Sequence, residues 1–160
     1  MRTLALGLSL AVLLVAASAP IGGARAVDNI TTRDAPDLTA VRAKIRAQDF
    51  KGALAELTPM LQTYQHADVY NLMGFSLRKT GDTKQAFTFY RKALDFDPQH
   101  KGALEYLGEL YVETGQLDKA KENVVLLKKL CPGGCEELED LEKAVAAAPG
   151  ATNAAAAKTN

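Results

Sequence analysis

The chain has 160 residues, of which 19 are basic and 19 are acidic, so its formal net charge at pH 7 is zero. A length of this order suits one folded domain rather than two. Because the basic residues form no block, the composition argues against nucleic acid or an anionic membrane surface as the main partner.

The N-terminal segment, 1–26, has the pattern of a secretory signal peptide. Arg2 precedes an uncharged run from Leu4 to Ala19, and a small-x-small cleavage site follows at 24–26. The run is shorter than the roughly 20 residues that span a bilayer. We therefore expect cleavage after Ala26, an exported mature chain that is periplasmic or secreted, and no membrane insertion after cleavage. An uncleaved N-terminal anchor is the alternative, and the segment 27–35 is predicted to form a flexible leader.

The middle of the chain repeats itself, with position i matching position i+34. Apolar positions also coincide at this interval, and within each unit they follow one another at a spacing of three or four. Each unit is therefore predicted to consist of two amphipathic helices, at about 68–79 and 83–96, then 102–113 and 117–130. The identical residues of the two units are Thr80 and Thr114, Gly81 and Gly115, Gly74 and Gly108, Ala86 and Ala120, and Pro98 and Pro132.

Small residues in the repeat predict where its helices approach one another. We expect Gly74 to face Ala86, and Gly108 to face Ala120, because small residues on both sides let two helix backbones come close. The glycine after each first helix would end that helix in a left-handed conformation. The proline after each second helix would stop it and set the turn into the next unit.

At these residues the chain resembles the tetratricopeptide repeat family. The unit 67–100 has the family's residue type at every signature position, and the unit 101–134 departs from the pattern at Val124 and Leu127. The resemblance implies an all-α fold, a right-handed superhelical stack of antiparallel helix pairs.

Weaker signals extend the predicted stack on both sides. A degenerate first repeat is predicted at 36–66, with a first helix from Pro36 to Ala47 and a second helix that repeats the later pattern at an interval of 33. A capping helix is predicted within 135–147, covering the open end of the stack. The tail, 148–160, has little to bury and is predicted to be disordered.

The resemblance also implies a binding groove. Tetratricopeptide-like stacks bind extended peptides or partner helices in the groove lined by the first helix of each unit. The positions of this chain that match the family's groove positions are Asn71, Phe75, Arg78, Lys79, Glu105, Glu109, Val112 and Glu113.

Three of these positions form a ladder of like charges on one helix face. Glu105, Glu109 and Glu113 are spaced at i, i+4 and i+8, and like charges at this spacing repel one another. Two explanations are open at this point. Arg78 and Lys79 on the preceding helix would compensate the ladder, or a basic segment of a partner would.

Phe75 is a second candidate for partner binding. An aromatic side chain at a groove position buries nothing within its own repeat. Packing against Ile45 of the degenerate first repeat would explain this residue equally well.

The cysteines form the one local motif with chemical specificity. Cys131 and Cys135 are the only two cysteines, and in an exported protein this favours one disulfide. The short intervening segment can bring the two side chains within bonding range. A staple between the third repeat and the capping helix is the preferred interpretation. A periplasmic thiol-redox or Cu(I)-handling site is the alternative.

No pattern in the chain indicates an enzyme. His66 and His100 have no metal-ligand neighbours at suitable spacing and are expected to be solvated loop residues. Nucleophile, zinc-protease and nucleotide-binding motifs do not occur. We therefore expect a non-enzymatic adaptor of the cell envelope, without cofactor or metal, that binds a protein or peptide partner and no nucleic acid.

Overall fold

The computed structural model describes residues 35–149, and every regular element in this range is an α-helix. The predicted signal peptide, almost all of the predicted leader, and residues 150–160 of the predicted tail lie outside the described residues. The helices are α1 Thr39–Arg46, α2 Phe50–Thr63, α3 Ala67–Lys79, α4 Thr83–Phe96, α5 Lys101–Glu113, α6 Leu117–Leu130 and α7 Glu136–Ala147.

The helices pack as consecutive pairs. α1 packs on α2, α3 on α4, and α5 on α6, while α2 contacts α3 and α4 contacts α5. The last helix, α7, packs on both α5 and α6. This arrangement is an all-α repeat solenoid, and it confirms the predicted fold class.

The turn inside each pair requires a left-handed residue. Gly81 and Gly115 occupy this position with φ of 92° and 74°. In the degenerate pair, Gln48 has φ of 58° at the corresponding place, between α1 and α2. Left-handed backbone is costly for a residue with a Cβ, so the first pair adopts the same turn at greater cost.

The first helix is shorter than the sequence indicates. It begins at Thr39, so the expectation that Pro36 is the first helical residue is wrong. The Oδ1 atom of Asp37 accepts a hydrogen bond from the backbone N–H of Thr39 at 2.9 Å. Asp side chains favour such local turns over helical backbone, which delays the start of α1.

The two larger of three clusters of buried side chains within residues 35–149 hold most of the stack together. The larger runs from α1 to α5 and includes Leu57 and Tyr90, which are fully buried. The smaller joins α5, α6 and α7 through Leu104, Leu127 and Leu141. α7 therefore completes a core that α5 and α6 leave open.

The close-contact alanines are buried, but the glycines face other groups. Ala86 and Ala120 are fully buried. A Cβ at Gly74 would come closest to the ring of Tyr90, at 2.7 Å. A Cβ at Gly108 would come closest to Leu141 on α7, at 2.5 Å. Gly74 thus faces the second helix of its own pair, as predicted, with Tyr90 rather than Ala86 as its nearest contact. The nearest contact of Gly108 lies on α7 and not on α6, so the prediction for the second pair is wrong.

Between residues 35 and 149, no helix is long and apolar enough to cross a membrane.

Candidate functional site

The first helices of the pairs, together with α7, form one face of the solenoid, which we call the first-helix face. Side chains from α1, α3, α5 and α7 line a common cavity of about 320 Å³ on this face. We call it the acidic cavity, because five of its six charged lining residues other than histidine are carboxylates. These six are Arg42, Asp68, Glu105, Glu136, Glu137 and Asp140.

A second cavity lies on the same face, between α3, α5 and the C-terminal end of α7. It has a volume of about 460 Å³ and is lined by Arg78, Glu109, Val112 and Glu113 of the predicted groove set. Alanines of α7, including Ala144, form its opposite wall. We call it the arginine cavity. The face thus offers a polar pocket at one end and a partly apolar one at the other.

Arg78 joins two acids of the predicted ladder. Its Nη1 donates to Glu109 at 2.6 Å, and its Nε and Nη2 donate to both carboxylate oxygens of Glu113. The Arg78 side chain is only 9% exposed, compared with 52% for Glu113. Burial acts to lower the pKa of Arg78, but the hydrogen bonds to Glu113 and Glu109 outweigh it and raise that pKa above its ordinary value.

The compensation of the ladder stops short of Glu105. This residue is 8% exposed, and no cation among the described residues pairs with it. Burial, together with repulsion from Glu109, Asp140 and other α7 acids, raises its pKa to about 8. In the ladder, Glu109 and Glu113 are therefore paired with Arg78, whereas Glu105 is unpaired and mostly protonated at neutral pH.

The second basic residue of the predicted compensation has a different role. Lys79 places its Nζ 5.3 Å from the centroid of the Phe75 ring. It forms a cation–π contact and no ion pair with the ladder within residues 35–149. The expectation that both Arg78 and Lys79 neutralise the ladder is thus met by Arg78 alone.

Phe75 lies between two other aromatic rings. Its centroid is 6.1 Å from that of Phe50 on α2 and 4.9 Å from that of Tyr106 on α5. Of the two explanations for this residue, packing within the protein agrees with these contacts. The contact with the first repeat is made by the ring of Phe50, whereas the expected contact was with Ile45. Since Tyr106 also lines the acidic cavity, the stack of Phe50, Phe75 and Tyr106 forms part of the packing behind its wall.

Both histidines cap helices. Each lies in the loop before a helix, as expected, but the expectation that both are solvated is wrong for His100. Nδ1 of His66 accepts from the backbone N–H of Asp68, and Nδ1 of His100 accepts from that of Ala103. The ring of His100 is only 15% exposed, and its Nε2 lies 3.0 Å from Asp68 Oδ1. Because Nδ1 of His100 accepts a hydrogen bond, Nε2 carries the ring proton and donates a hydrogen bond to Asp68.

Asp68 is consequently held as a carboxylate. The hydrogen bond from His100 lowers its pKa against the opposing effect of burial, and Arg42 at 3.8 Å contributes a further favourable charge. The sequence did not indicate that Arg42, Asp68 and His100 line the cavity. The recurrence of His66 as His100 at the repeat interval, each directly before a first helix, was the available signal for their capping role.

Asn71 completes the acidic cavity from α3. The side chain is 5% exposed and lines the cavity. Its Oδ1 is one of three buried side-chain polar atoms in the described part of the chain that have no hydrogen-bond partner. A buried amide without a partner is costly, at about 1 to 3 kcal/mol.

The two cysteines are joined at the base of α7. The sulfur atoms of Cys131 and Cys135 are bonded, with their Cα atoms 5.9 Å apart, and Cys131 is buried. The link lies directly before the first residue of α7. Over residues 35–149, no group of three or more His, Cys, Asp or Glu side chains has an arrangement that could hold a metal ion.

Comparisons with known sequences find similarity in the repeat region. Residues 77–124 match a family model described as tetratricopeptide repeat. Over 55 residues, or 34% of the chain, the sequence is 42% identical to a probable biofilm formation methyltransferase, WspC, of Pseudomonas putida, covering 13% of that protein. Over 80 residues, or 50% of the chain, it is 31% identical to the BBSome complex member BBS4 of Bos taurus, covering 15% of it.

A third relative is the uncharacterized protein ycf37 of Pyropia yezoensis. The identity is 38% over 55 residues, which are 34% of this chain and 31% of that protein. The chain thus spans less than a third of the length of each of these three relatives.

Two solved structures have a fold similar to that of this chain. The second TPR domain of human RPAP3, solved in complex with the HSP70 peptide SGPTIEEVD, has a TM-score of 0.57 at 17% identity, covering 65% of this chain and 88% of that one. PcrH, solved in complex with the chaperone binding region of PopD, has a TM-score of 0.59 at 16% identity, covering 72% and 87%. Residues 77–124 are thus similar to the tetratricopeptide repeat, and the helix-pair solenoid has a fold similar to that of these two structures.

Proposed function

We propose that this chain is a non-enzymatic adaptor that binds an extended segment or a helix of a partner protein on its first-helix face. The observation that carries this proposal is the pair of cavities on that face. Each is built from several helices at once, and together they contain six of the eight predicted groove residues. A surface that four helices leave unfilled is suited to a partner segment that runs across them.

The solved neighbours support the same type of function. The RPAP3 domain and PcrH are both described in complex with a segment of another protein. Because identity to them is below a fifth, they guide the type of partner and not its sequence.

We place this adaptor in the cell envelope, as a periplasmic or secreted protein. The support is the apolar run at 4–19 and the cleavage pattern at 24–26. Intact mass of the exported protein tests this, with a chain that begins at Val27 as the expected result. A mass that includes the segment 1–26 contradicts cleavage.

Site-specific crosslinking tests the binding face. A photoreactive amino acid at Val112, which lines the arginine cavity, should crosslink a protein partner in the exported fraction. The matched control is the same amino acid at Val125, which is 52% exposed on α6 and outside both cavities. Crosslinks from position 125 and none from position 112 would contradict binding on the first-helix face.

The disulfide enters this proposal as a structural element. We propose that the Cys131–Cys135 link holds the start of α7, and with it the α7 wall of both cavities. The thiol-redox or Cu(I) alternative would use the same two sulfurs in their reduced form. The structure joins the sulfurs in a bond and buries Cys131, so we retain the structural role.

A further inference from the structure

The acidic cavity has more carboxylates than the protein itself neutralises. Asp68 is paired with Arg42 and His100, and Asp140 with Lys143. Within residues 35–149, the structure pairs no cation with the three remaining acids, which are Glu105, Glu136 and Glu137. Because Glu105 is mostly protonated at neutral pH in the free protein, it is the charges of Glu136 and Glu137 that give the cavity a negative potential, and no basic side chain of the described fold pairs with them.

An independent feature of the same cavity points to a hydrogen-bond donor. Asn71 is only 5% exposed, lines the cavity, and has an unpartnered Oδ1. Its amide nitrogen lies close to Gly102, only 3.2 Å from where a Cβ would be, so the absence of a side chain there leaves room for the amide. Since no donor of the described fold reaches Oδ1, a ligand with N–H groups would satisfy it.

The chemistry of the lining selects the kind of cation. A metal ion needs several ligands converging within about 2 to 2.6 Å of one point, and no such group exists among the described residues. An ammonium or guanidinium group instead donates several N–H bonds of about 2.9 Å to acceptors that stand apart. We infer that the acidic cavity receives a single cationic side chain, a lysine or arginine, of the partner segment.

This inference rests on the proposed function, because the cation belongs to a segment bound on the first-helix face. The carboxylate of Glu105 and the amide of Asn71 would be the buried acceptors. The carboxylates of α7 would add a longer-range attraction from the opposite wall.

Binding of the cation should release a proton. The pKa of Glu105 is about 8 in the free protein, and a neighbouring positive charge favours the ionised form. Affinity should therefore rise with pH through this range. The charged and titratable groups that face Glu105 are Arg42 of α1, Asp68 of α3, Tyr106 and Glu109 of α5, Glu136, Glu137 and Asp140 of α7, and His100 before α5.

Two matched small probes test the inference by NMR on the ¹⁵N-labelled mature chain. N-acetyl-lysine methylamide should shift the side-chain amide signals of Asn71 and the backbone amides around Glu105 and Asp140. N-acetyl-norleucine methylamide, which has the same apolar chain without the ammonium group, should not. Glu105→Gln should weaken the lysine probe by about tenfold, the loss of one charged hydrogen bond.

The control variant is Glu122→Gln, which removes a charge from an exposed position on α6 and should leave binding unchanged. The inference is overturned if the lysine probe shifts no cavity signal, if norleucine shifts the same signals equally, or if Glu105→Gln has no effect. Tighter binding of Ca²⁺ at the same signals would make the cavity an ion site instead. Crosslinking from Val112 is independent of this cavity, so it can succeed while the cation fails.

Discussion

Glu105 shows how the neighbours on the first-helix face determine the charge state of a single side chain. It is a buried carboxyl group with acids of α7 opposite and Glu109 on its own helix. Asp68, in the same cavity, has its charge stabilised by His100 and Arg42. Two carboxyl groups in one cavity are thus driven in opposite directions by their neighbours.

The first prediction concerns stability as a function of pH. The pKa of Glu105 rises from an ordinary value of 4.5 to about 8 on folding, so the folded state binds more protons between these values. Its contribution to stability is fully present below pH 4.5 and is lost as pH rises through about 8. Between pH 6 and 9, the wild type should lose about 1 to 3 kcal/mol of unfolding free energy relative to Glu105→Gln.

Urea denaturation of both proteins at each pH measures this difference. The comparison with Glu105→Gln removes the contribution of the histidines, which both proteins share. Parallel stability curves for the two proteins would mean that Glu105 is ionised in the folded state at neutral pH.

At the scale of single elements, the turns between paired helices show how a degenerate repeat keeps the fold. Gly81 and Gly115 supply the left-handed residue in two pairs, whereas Gln48 takes a positive φ in the first. Nothing lies within 4 Å of a Cβ at Gly81 or Gly115. The glycines at these turns are therefore required by backbone conformation and not by lack of space.

The second prediction follows from this difference. Gln48→Gly should stabilise the protein by about 0.5 to 1 kcal/mol, and Gly81→Ala should destabilise it by about 1 to 2 kcal/mol. Gly133→Ala is the control, because it has open space and no positive φ, and it should be nearly neutral. Chemical denaturation measures all three. A destabilising Gln48→Gly would show that the Gln48 side chain contributes more than its backbone conformation costs.

The third prediction concerns α7. Reduction of the Cys131–Cys135 link should lower amide protection in the segment 135–147, because the start of α7 is then no longer fixed, while α3 and α4 keep theirs. The loop closed is short, so the global effect should not exceed about 2 to 3 kcal/mol. Hydrogen exchange with and without reductant measures the effect.

The control for this experiment is Cys131→Ser with Cys135→Ser, which should reproduce the reduced state without reductant. Unchanged protection of α7 on reduction, together with stoichiometric Cu(I) binding by the reduced protein, would contradict the structural role and favour metal handling.

The sequence was a good guide to elements and a poor one to the acidic cavity. The repeat interval and the three-or-four spacing predicted α3 to α6 to within a residue at each end, because repeated apolar faces leave few alternatives. The predicted start of α1 was wrong, since the Asp37 side chain accepts a hydrogen bond from the Thr39 backbone N–H and so favours a turn there. The acidic cavity could not be foreseen, because it needs the first turn of α7 to pack beside Glu105, from which all of α6 separates it in the chain.

At the scale of the whole molecule, the two larger buried clusters stabilise different parts of the solenoid. One extends from α1 to α5 and the other joins α5, α6 and α7. In repeat proteins each unit contacts mainly its neighbours, so stability is roughly a sum of local terms. Regions of this protein should accordingly open separately.

The fourth prediction compares the truncation of one leucine side chain in each cluster. Leu57→Ala and Leu141→Ala each remove a fully buried leucine and should cost about 2 to 5 kcal/mol. Leu141→Ala should lower hydrogen-exchange protection most in α6 and α7, and Leu57→Ala most in α1 and α2. An equal loss of protection everywhere in both variants would show that the solenoid unfolds as one cooperative unit.

The two ends of the first-helix face differ in electrical sign. α1 has three basic residues and no acid, whereas α7 has five acids and one lysine. The face therefore has a dipole directed from α7 towards α1, and it lies along the path of a segment that runs across the helices. A segment with its basic residues at one end and its acidic residues at the other has lower energy in one direction than in the reverse. The opposed charges of α1 and α7 thus give the groove a polarity, so that such a segment has a preferred N-to-C direction.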